Sequence, residues 1–119
     1  MTAYTVVALL LATAASGASE PLSLRVTPNV SSAPSTVTVR AYVQPKADNR
    51  RLRIEAESGS FYRSSEVQLD GDQAPMLTEF RLRALPKGQY TVSATLFDAM
   101  GEETVVRRTA VVLSRFGEP

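Results

Sequence analysis

Apolar and polar side chains alternate in a series of short segments from residue 22 to residue 114. In the segment 37–43, valine or alanine at every odd position alternates with threonine, arginine or tyrosine at every even one. A period of two is that of a β-strand, whose successive side chains point to opposite faces. Proline, glycine, asparagine and aspartate separate the segments, as expected for turns. The sequence therefore predicts an all-β fold.

The alternation divides the chain into about seven strands in about 100 residues, which fits an antiparallel sandwich of two sheets. The segments are 22–26, 37–43, 51–57, 61–69, 76–85, 90–97 and 104–114. We expect one sheet to contain 22–26, 37–43 and 76–85, with 61–69 beside 76–85. The other sheet should contain the remaining three segments. In 104–114 the apolar side chains change parity, which predicts a bulge near Arg107 and Arg108.

The segment 85–94, Leu-Pro-Lys-Gly-Gln-Tyr-Thr-Val-Ser-Ala, resembles the corner between strands E and F of fibronectin type III and bacterial immunoglobulin-like domains. The following 97–101 resembles their next hairpin. The resemblance implies an Ig-like β-sandwich in which Tyr90 bonds its hydroxyl to upstream backbone and Gly88 lies in the turn. Val92 stands where antibody domains carry a cysteine, which excludes that type. A transthyretin-like sandwich is the alternative and predicts the same core.

The first residues have the pattern of a secretory signal peptide. An uncharged apolar run at 6–15 precedes small residues at 16–18, and it is shorter than the roughly 20 residues that a membrane-spanning helix needs. We therefore expect a signal peptide at 1–18, cleavage after Ala18, a mature domain at 19–119 without a stable transmembrane segment, and export to the periplasm or the cell exterior. A buried first element of the domain is the alternative interpretation.

The composition argues against catalysis and against nucleic-acid binding. The 119 residues include no histidine and no cysteine, so neither a Ser/His/Asp triad nor a Cys/His pair can form. Thirteen basic and twelve acidic side chains leave a net charge of +1, without the basic excess of a nucleic-acid binder. We expect no enzymatic activity and no cofactor.

Two acidic groups have both a chemical and a structural interpretation. Asp70 and Asp72, with Asp48 or Asp98 from other loops, are possible calcium ligands, but the ligand number falls short and aspartate is common in turns. Glu55 and Glu57 share one strand face and could act as an acid and base pair. Because arginines share that face, solvated ion pairs are the favoured interpretation for these two.

Five residues are predicted for a partner surface: Arg40, Arg81, Arg83, Phe97 and Tyr42. The three arginines should project from the outer face of the first sheet, where a small anion or an acidic polysaccharide could bind, although Glu66, Gln68 and Asp70 on the neighbouring strand are expected to neutralise much of their charge. Apolar side chains expected outside the core are Tyr42, Leu77, Leu85, Phe97 and Phe116. The loops 62–65 and 98–103 are alternative contact sites, and strands 22–26 and 104–114 are expected to be open edges.

By elimination, the sequence indicates an exported, non-catalytic binding or structural module that contacts another protein at the cell envelope or outside the cell. A carbohydrate-binding or small-ligand-binding sandwich is the alternative, although the chain has no tryptophan and only four tyrosines for sugar stacking. A hydrolase is the third hypothesis.

Overall fold

A computed structural model describes residues 20–115 of the chain as eight β-strands and one short 3₁₀ turn. The strands are β1 (Leu22–Thr27), β2 (Val30–Ser32), β3 (Ser35–Val43), β4 (Asn49–Ser58), β5 (Phe61–Gln68), β6 (Leu77–Leu85), β7 (Gly88–Asp98) and β8 (Glu103–Leu113). The predicted all-β class is confirmed. The proposed signal peptide and Phe116 lie outside the described residues.

The strands form two sheets that pack face to face. One has the order β1-β3-β6, and the other has the order β2-β8-β7-β4-β5. The division predicted for six of the seven segments is confirmed, but β5 pairs with β4 and does not neighbour β6. The reason is the two-residue turn Gly59-Ser60, in which Gly59 has φ +54°. Such a turn joins adjacent antiparallel strands and is too short to cross to a sheet about 10 Å away.

A short strand that the sequence analysis missed changes the edges of the larger sheet. After Thr27 the chain leaves the smaller sheet, and β2 pairs in parallel with β8. The expectation that the last strand is an open edge is therefore wrong for Val111 to Leu113, which β2 covers, whereas β1 does lie at an edge. Three residues between Pro28 and Pro34 are too few for periodicity to reveal.

The core consists of the inward rows of both sheets. Buried aliphatic side chains alternate along β3, β4 and β7 with the parity that the sequence predicts. The largest fully buried side chains are Tyr90, Leu22, Leu52, Ile54, Leu85, Val37, Val39 and Val92. At roughly 1.5 to 3 kcal/mol for each fully buried large aliphatic side chain, these contacts provide most of the favourable free energy of folding.

The parity of β6 changes near its end because of a β-bulge. The β3–β6 register shifts between Ser35 and Val37, and Ala84 has a positive φ of 56°. Leu85 is therefore turned into the core with 1% exposure, and its predicted place outside the core is wrong. Met76 precedes β6 and is 59% exposed.

The bulge predicted near Arg107 and Arg108 does not exist. The β7–β8 register is continuous from Gly88–Val112 to Phe97–Glu103. Arg108 lies on the inward row, opposite Val92, but it is exposed because it lines an opening between β1 and β8 with Leu24 and Val26. The opening lets a charged side chain occupy an inward position without being desolvated.

Tyr90 ties the start of β7 to the preceding corner. Its hydroxyl donates to the Pro86 carbonyl at 2.6 Å, and its ring packs edge-on against Phe61 at 5.3 Å between centroids. This is the geometry of a tyrosine corner. Burial raises the pKa of the Tyr90 phenol. Gly88 is the first residue of β7, and a Cβ atom there would lie 2.6 Å from Ser58 Oγ.

We predict that Tyr90→Phe lowers the free energy of unfolding by about 1 to 2 kcal/mol, because the ring keeps its packing while the Pro86 carbonyl loses its donor. Urea unfolding measures the change. Tyr42→Phe is the control: Tyr42 is 40% exposed, so its loss of a hydroxyl should change stability by less than about 0.5 kcal/mol. Equal effects of the two substitutions would contradict a structural role for the Tyr90 hydroxyl.

Candidate functional site

The outer face of the smaller sheet carries a cluster of arginines, which we call the arginine face: Arg25, Arg40, Arg81 and Arg83. The strand register places Arg25 opposite Arg40, and Arg81 opposite Thr38. Three of the four arginines are those predicted for this face. Arg25 was missed, although its place between two core residues of β1 gives it the same outward parity.

Acidic side chains compensate only part of this charge. Glu79 bonds Arg40 at 2.9 Å, and Glu20 lies at one end of the face, beside Tyr42. The prediction that Glu66 neutralises this face is wrong, because β5 belongs to the other sheet, where Glu66 bonds Arg51 and Arg53 at 3.0 and 3.2 Å. The face thus keeps a net positive charge.

An apolar patch continues the arginine face toward the end where β3 finishes. Tyr42 lies opposite Leu77, and Met76 precedes it. These side chains are 40%, 43% and 59% exposed, respectively. Tyr42 and Met76 also line a shallow depression with Pro45. Exposed apolar side chains beside unpaired charges are typical of protein-binding surfaces.

Phe97 lies on the opposite side of the molecule, on the outer face of the larger sheet. It is only 6% exposed, because the guanidinium carbons of Arg51 and Arg53 lie 4.0 and 4.9 Å from its ring centroid. The contact between Arg51 and Phe97 follows from the strand register, which pairs Arg51 of β4 with Phe97 of β7. Four of the residues predicted for the partner surface therefore share one face, and Phe97 is separate: the four are Arg40, Tyr42, Arg81 and Arg83.

The predicted carboxylate pair has no catalytic geometry. Glu55 accepts a hydrogen bond from the Tyr62 hydroxyl at 2.6 Å, and Glu57 lies opposite Tyr62 in the register. The hydrogen bond to Glu55 raises the pKa of Tyr62. Both glutamates face solvent on the outer face of the larger sheet, so nothing withdraws a reacting group from water.

The aspartates considered as calcium ligands act in the turns instead. Asp98 Oδ1 accepts the backbone N–H groups of Met100 and Glu102 at 2.8 and 2.9 Å, which closes the loop between β7 and β8. Asp70 precedes the 3₁₀ turn Gly71–Gln73, and Asp72 lies within it. Within residues 20–115, no three histidine, cysteine or acidic side chains lie close enough to hold a metal ion.

A cleft of about 400 Å³ opens between the edges of the two sheets, between β5 and β6. Ile54, Phe80 and Leu82 contribute apolar side chains to it, and Arg63 and Arg81 lie at its rim. It exists because the inward positions of β5 include Arg63 and Ser65 where the neighbouring strands place aliphatic side chains. This cleft was not predicted, because its two walls come from different sheets.

Comparisons with solved structures find a similar fold in proteins of different kinds. A superoxide reductase (neelaredoxin) from Ignicoccus hospitalis matches with a TM-score of 0.63 at 15% identity, covering 78% of this chain and 80% of that one. A family 76 glycoside hydrolase from a bovine Bacteroides thetaiotaomicron strain matches with a TM-score of 0.53 at 16% identity, over 76% of this chain and 20% of that one. Murine CRIg, at 11% identity over 79% of this chain and 98% of that one, has a TM-score of 0.44.

At these identities the likeness shows the fold alone. This chain has no histidine or cysteine, the side chains that most often bind redox-active iron in proteins. No protein family matches the sequence, and no curated protein matches it significantly. The closer resemblance to fibronectin type III stays a prediction. Within the described residues, no helix has the length and apolarity to cross a membrane.

We predict that Arg51→Ala lowers the free energy of unfolding by about 1 kcal/mol, because Phe97 loses a cation–π contact and Glu66 loses an ion pair. The measurement is urea unfolding. Arg107→Ala is the control on the same sheet face, opposite Ser93, and should change stability by less than about 0.5 kcal/mol. If Arg51→Ala lowers the free energy of unfolding no more than the control does, the contact of Arg51 with Phe97 does not stabilise the fold.

Proposed function

We propose that this chain is an exported, non-catalytic binding module that contacts another protein through the arginine face. The observation that carries the proposal is that Arg25, Arg81 and Arg83 have no acidic partner within residues 20–115, while Tyr42, Met76 and Leu77 expose apolar surface at one end of the same face. Charge of one sign beside an apolar patch favours association with a complementary protein surface.

Other functions have less support from the described residues. The exposed tyrosines Tyr42 and Tyr62 lie on the outer faces of different sheets, so they do not form a platform for stacking a sugar. The glutamates of β4 are hydrogen-bonded or solvated, which favours a structural role. A binding module is therefore preferred to a carbohydrate-binding module and to a hydrolase.

Export is tested by the mass of the mature protein. We expect that the full chain, produced in cells with a secretory pathway, is recovered outside the cytoplasm with Ser19 as its first residue. Intact-mass spectrometry and cell fractionation check this. Recovery of a product that starts at Met1, and only in the cytoplasm, would contradict the export proposal and leave the fold unaffected.

The binding face is tested by photo-crosslinking in the cells that make the protein. p-Benzoylphenylalanine in place of Thr38, at the centre of the arginine face, is expected to give a discrete protein adduct. The same group in place of Thr91, exposed on the outer face of the larger sheet, should not.

Charge reversal makes the crosslinking test specific. Arg81→Glu with Arg83→Glu should reduce the Thr38 adduct by about tenfold, because two attractive charges become repulsive. Arg107→Glu, a single charge reversal on the other sheet, is the control and should leave the adduct unchanged. Adducts of equal yield from both faces, or an adduct insensitive to Arg81 and Arg83, would contradict the proposal.

A further inference from the structure

β6 has a free edge whose backbone groups can be assigned. It pairs with β3 on one side only. The Val43 N–H donates to the Met76 carbonyl at 2.8 Å, one step beyond the Tyr42–Leu77 pair. Because hydrogen-bonded and non-hydrogen-bonded pairs alternate in an antiparallel ladder, the N–H and C=O groups of Leu77, Glu79 and Arg81 point away from β3. β6 therefore presents a row of available donors and acceptors.

The bulge at Ala84 and the bond from Arg63 to the Arg83 carbonyl protect only the last part of β6, whereas the stretch from Leu77 to Arg81 lacks the protection that the other edges have. β2 is three residues long, and β1 packs beside β8. β5 carries an inward-pointing charge, Arg63, whose guanidinium donates to the Arg83 carbonyl at 3.2 Å. Short strands, covered strands and inward charges all prevent another strand from pairing at an edge. Along β6 the inward row is Thr78, Phe80 and Leu82, without charge or proline.

The cleft between β5 and β6 lies beside this free edge. An additional strand along β6 would point every second side chain toward the cleft, where Ile54, Phe80 and Leu82 offer apolar contacts. The remaining side chains would lie beside Arg81 and Arg83, whereas Glu79 is already bonded to Arg40. The site therefore requires alternating apolar and acidic side chains.

A second copy of this chain is a poor occupant. Pairing of two β6 strands would bring two outer rows together, each with two arginines against one glutamate, and each glutamate already bonds an arginine of its own sheet. Even in a register that sets Glu79 opposite Arg81, the joined outer rows would keep a net positive charge, because four arginines meet two glutamates. The charge of the rim favours an acidic segment.

We propose that the free edge of β6 accepts an extended acidic segment of a partner protein as a fourth strand, with the apolar side chains of that segment in the cleft between β5 and β6. This mode of recognition combines backbone pairing, which provides affinity, with alternate side-chain pockets, which provide specificity. The inference rests on the proposed function in so far as the partner is a protein.

Synthetic peptides test the proposal without knowledge of the partner. The probe is fluorescein-labelled Val-Glu-Val-Glu-Val-Glu-Val, and its binding to the mature chain is followed by fluorescence anisotropy. We expect saturable binding that weakens by at least about tenfold when lysine replaces glutamate or when the same residues are rearranged as Val-Val-Val-Val-Glu-Glu-Glu. Equal binding of the three peptides, or none of the first, would overturn the proposal.

N-methylated peptides separate strand addition from simple charge attraction. Only alternate N–H groups of an added strand face β6, so methylating the glutamate nitrogens and methylating the valine nitrogens should have different effects. For antiparallel addition, the residue opposite Arg81 shares its outer face and is a glutamate, so the glutamate set should abolish binding. Loss with the valine set alone would support the parallel orientation. Similar affinities for both methylated peptides and the parent would show that no strand is added.

Variants of β6 test the same point from the side of the protein. Glu79→Pro removes an N–H that faces the free edge, so it should preserve the fold, checked by circular dichroism, and weaken binding of the probe by at least about tenfold. Glu79→Ala is the charge-matched control and should retain binding. If Glu79→Pro fails to fold, the methylated peptides decide. Retention of binding by a folded Glu79→Pro variant would overturn the proposal.

Sedimentation separates this proposal from self-association. We expect the mature chain to sediment independently of concentration in the absence of the probe. Concentration-dependent dimers that Glu79→Pro disrupts would show that a second copy takes the edge, and the proposal would be wrong. The peptides test only the edge of β6, whereas the crosslinking tests the whole arginine face. If no peptide binds but the Thr38 adduct forms, the strand-addition proposal is wrong and the proposed function still stands.

Discussion

The contact between the inward aliphatic rows of the two sheets is the interaction on which the rest of this structure depends. No disulfide or metal cluster links the two layers within the described residues. Their association rests on apolar area withdrawn from water, to which side chains such as Val39, Ile54 and Val92 contribute. Tyr90 adds a directional element, because its ring enters this interior while its hydroxyl fixes the preceding corner.

The two sheets differ in size, and this difference shapes the candidate binding surfaces. Three strands pack against five, and the inward row of β5 includes Arg63 and Ser65. The interior is therefore sealed by β3, β4 and β7 and left open beside β6. The same assignment of β5 to the larger sheet takes Glu66 away from the arginine face. A single strand position thus produces both a cleft and an uncompensated row of positive charge.

The strands that the sequence predicted well are those with a strict period of two and one apolar face, such as β3 and β7. The predictions from sequence were wrong where a bulge, a turn or a very short strand changes the direction of a side chain or the neighbour of a strand. The positive φ of Ala84 turned Leu85 inward, and β2 was too short to leave a pattern. In β8 the change of parity came from an opening beside Arg108, because a charged side chain can face inward wherever the sandwich is not closed.

By itself the sequence determined the fold class, the inward rows and the outward direction of Arg40, Arg81 and Arg83, because side-chain direction in a strand follows from the period alone. Only the tertiary structure decided which residues meet. Three features depend on how strands distant in sequence pair: the contact of Arg51 with Phe97, the free edge of β6, and the cleft beside that edge. A local turn such as Gly59-Ser60 fixes the pairing of adjacent strands, but the pairing of strands distant in sequence is fixed by the closure of a shared core, which no one segment encodes.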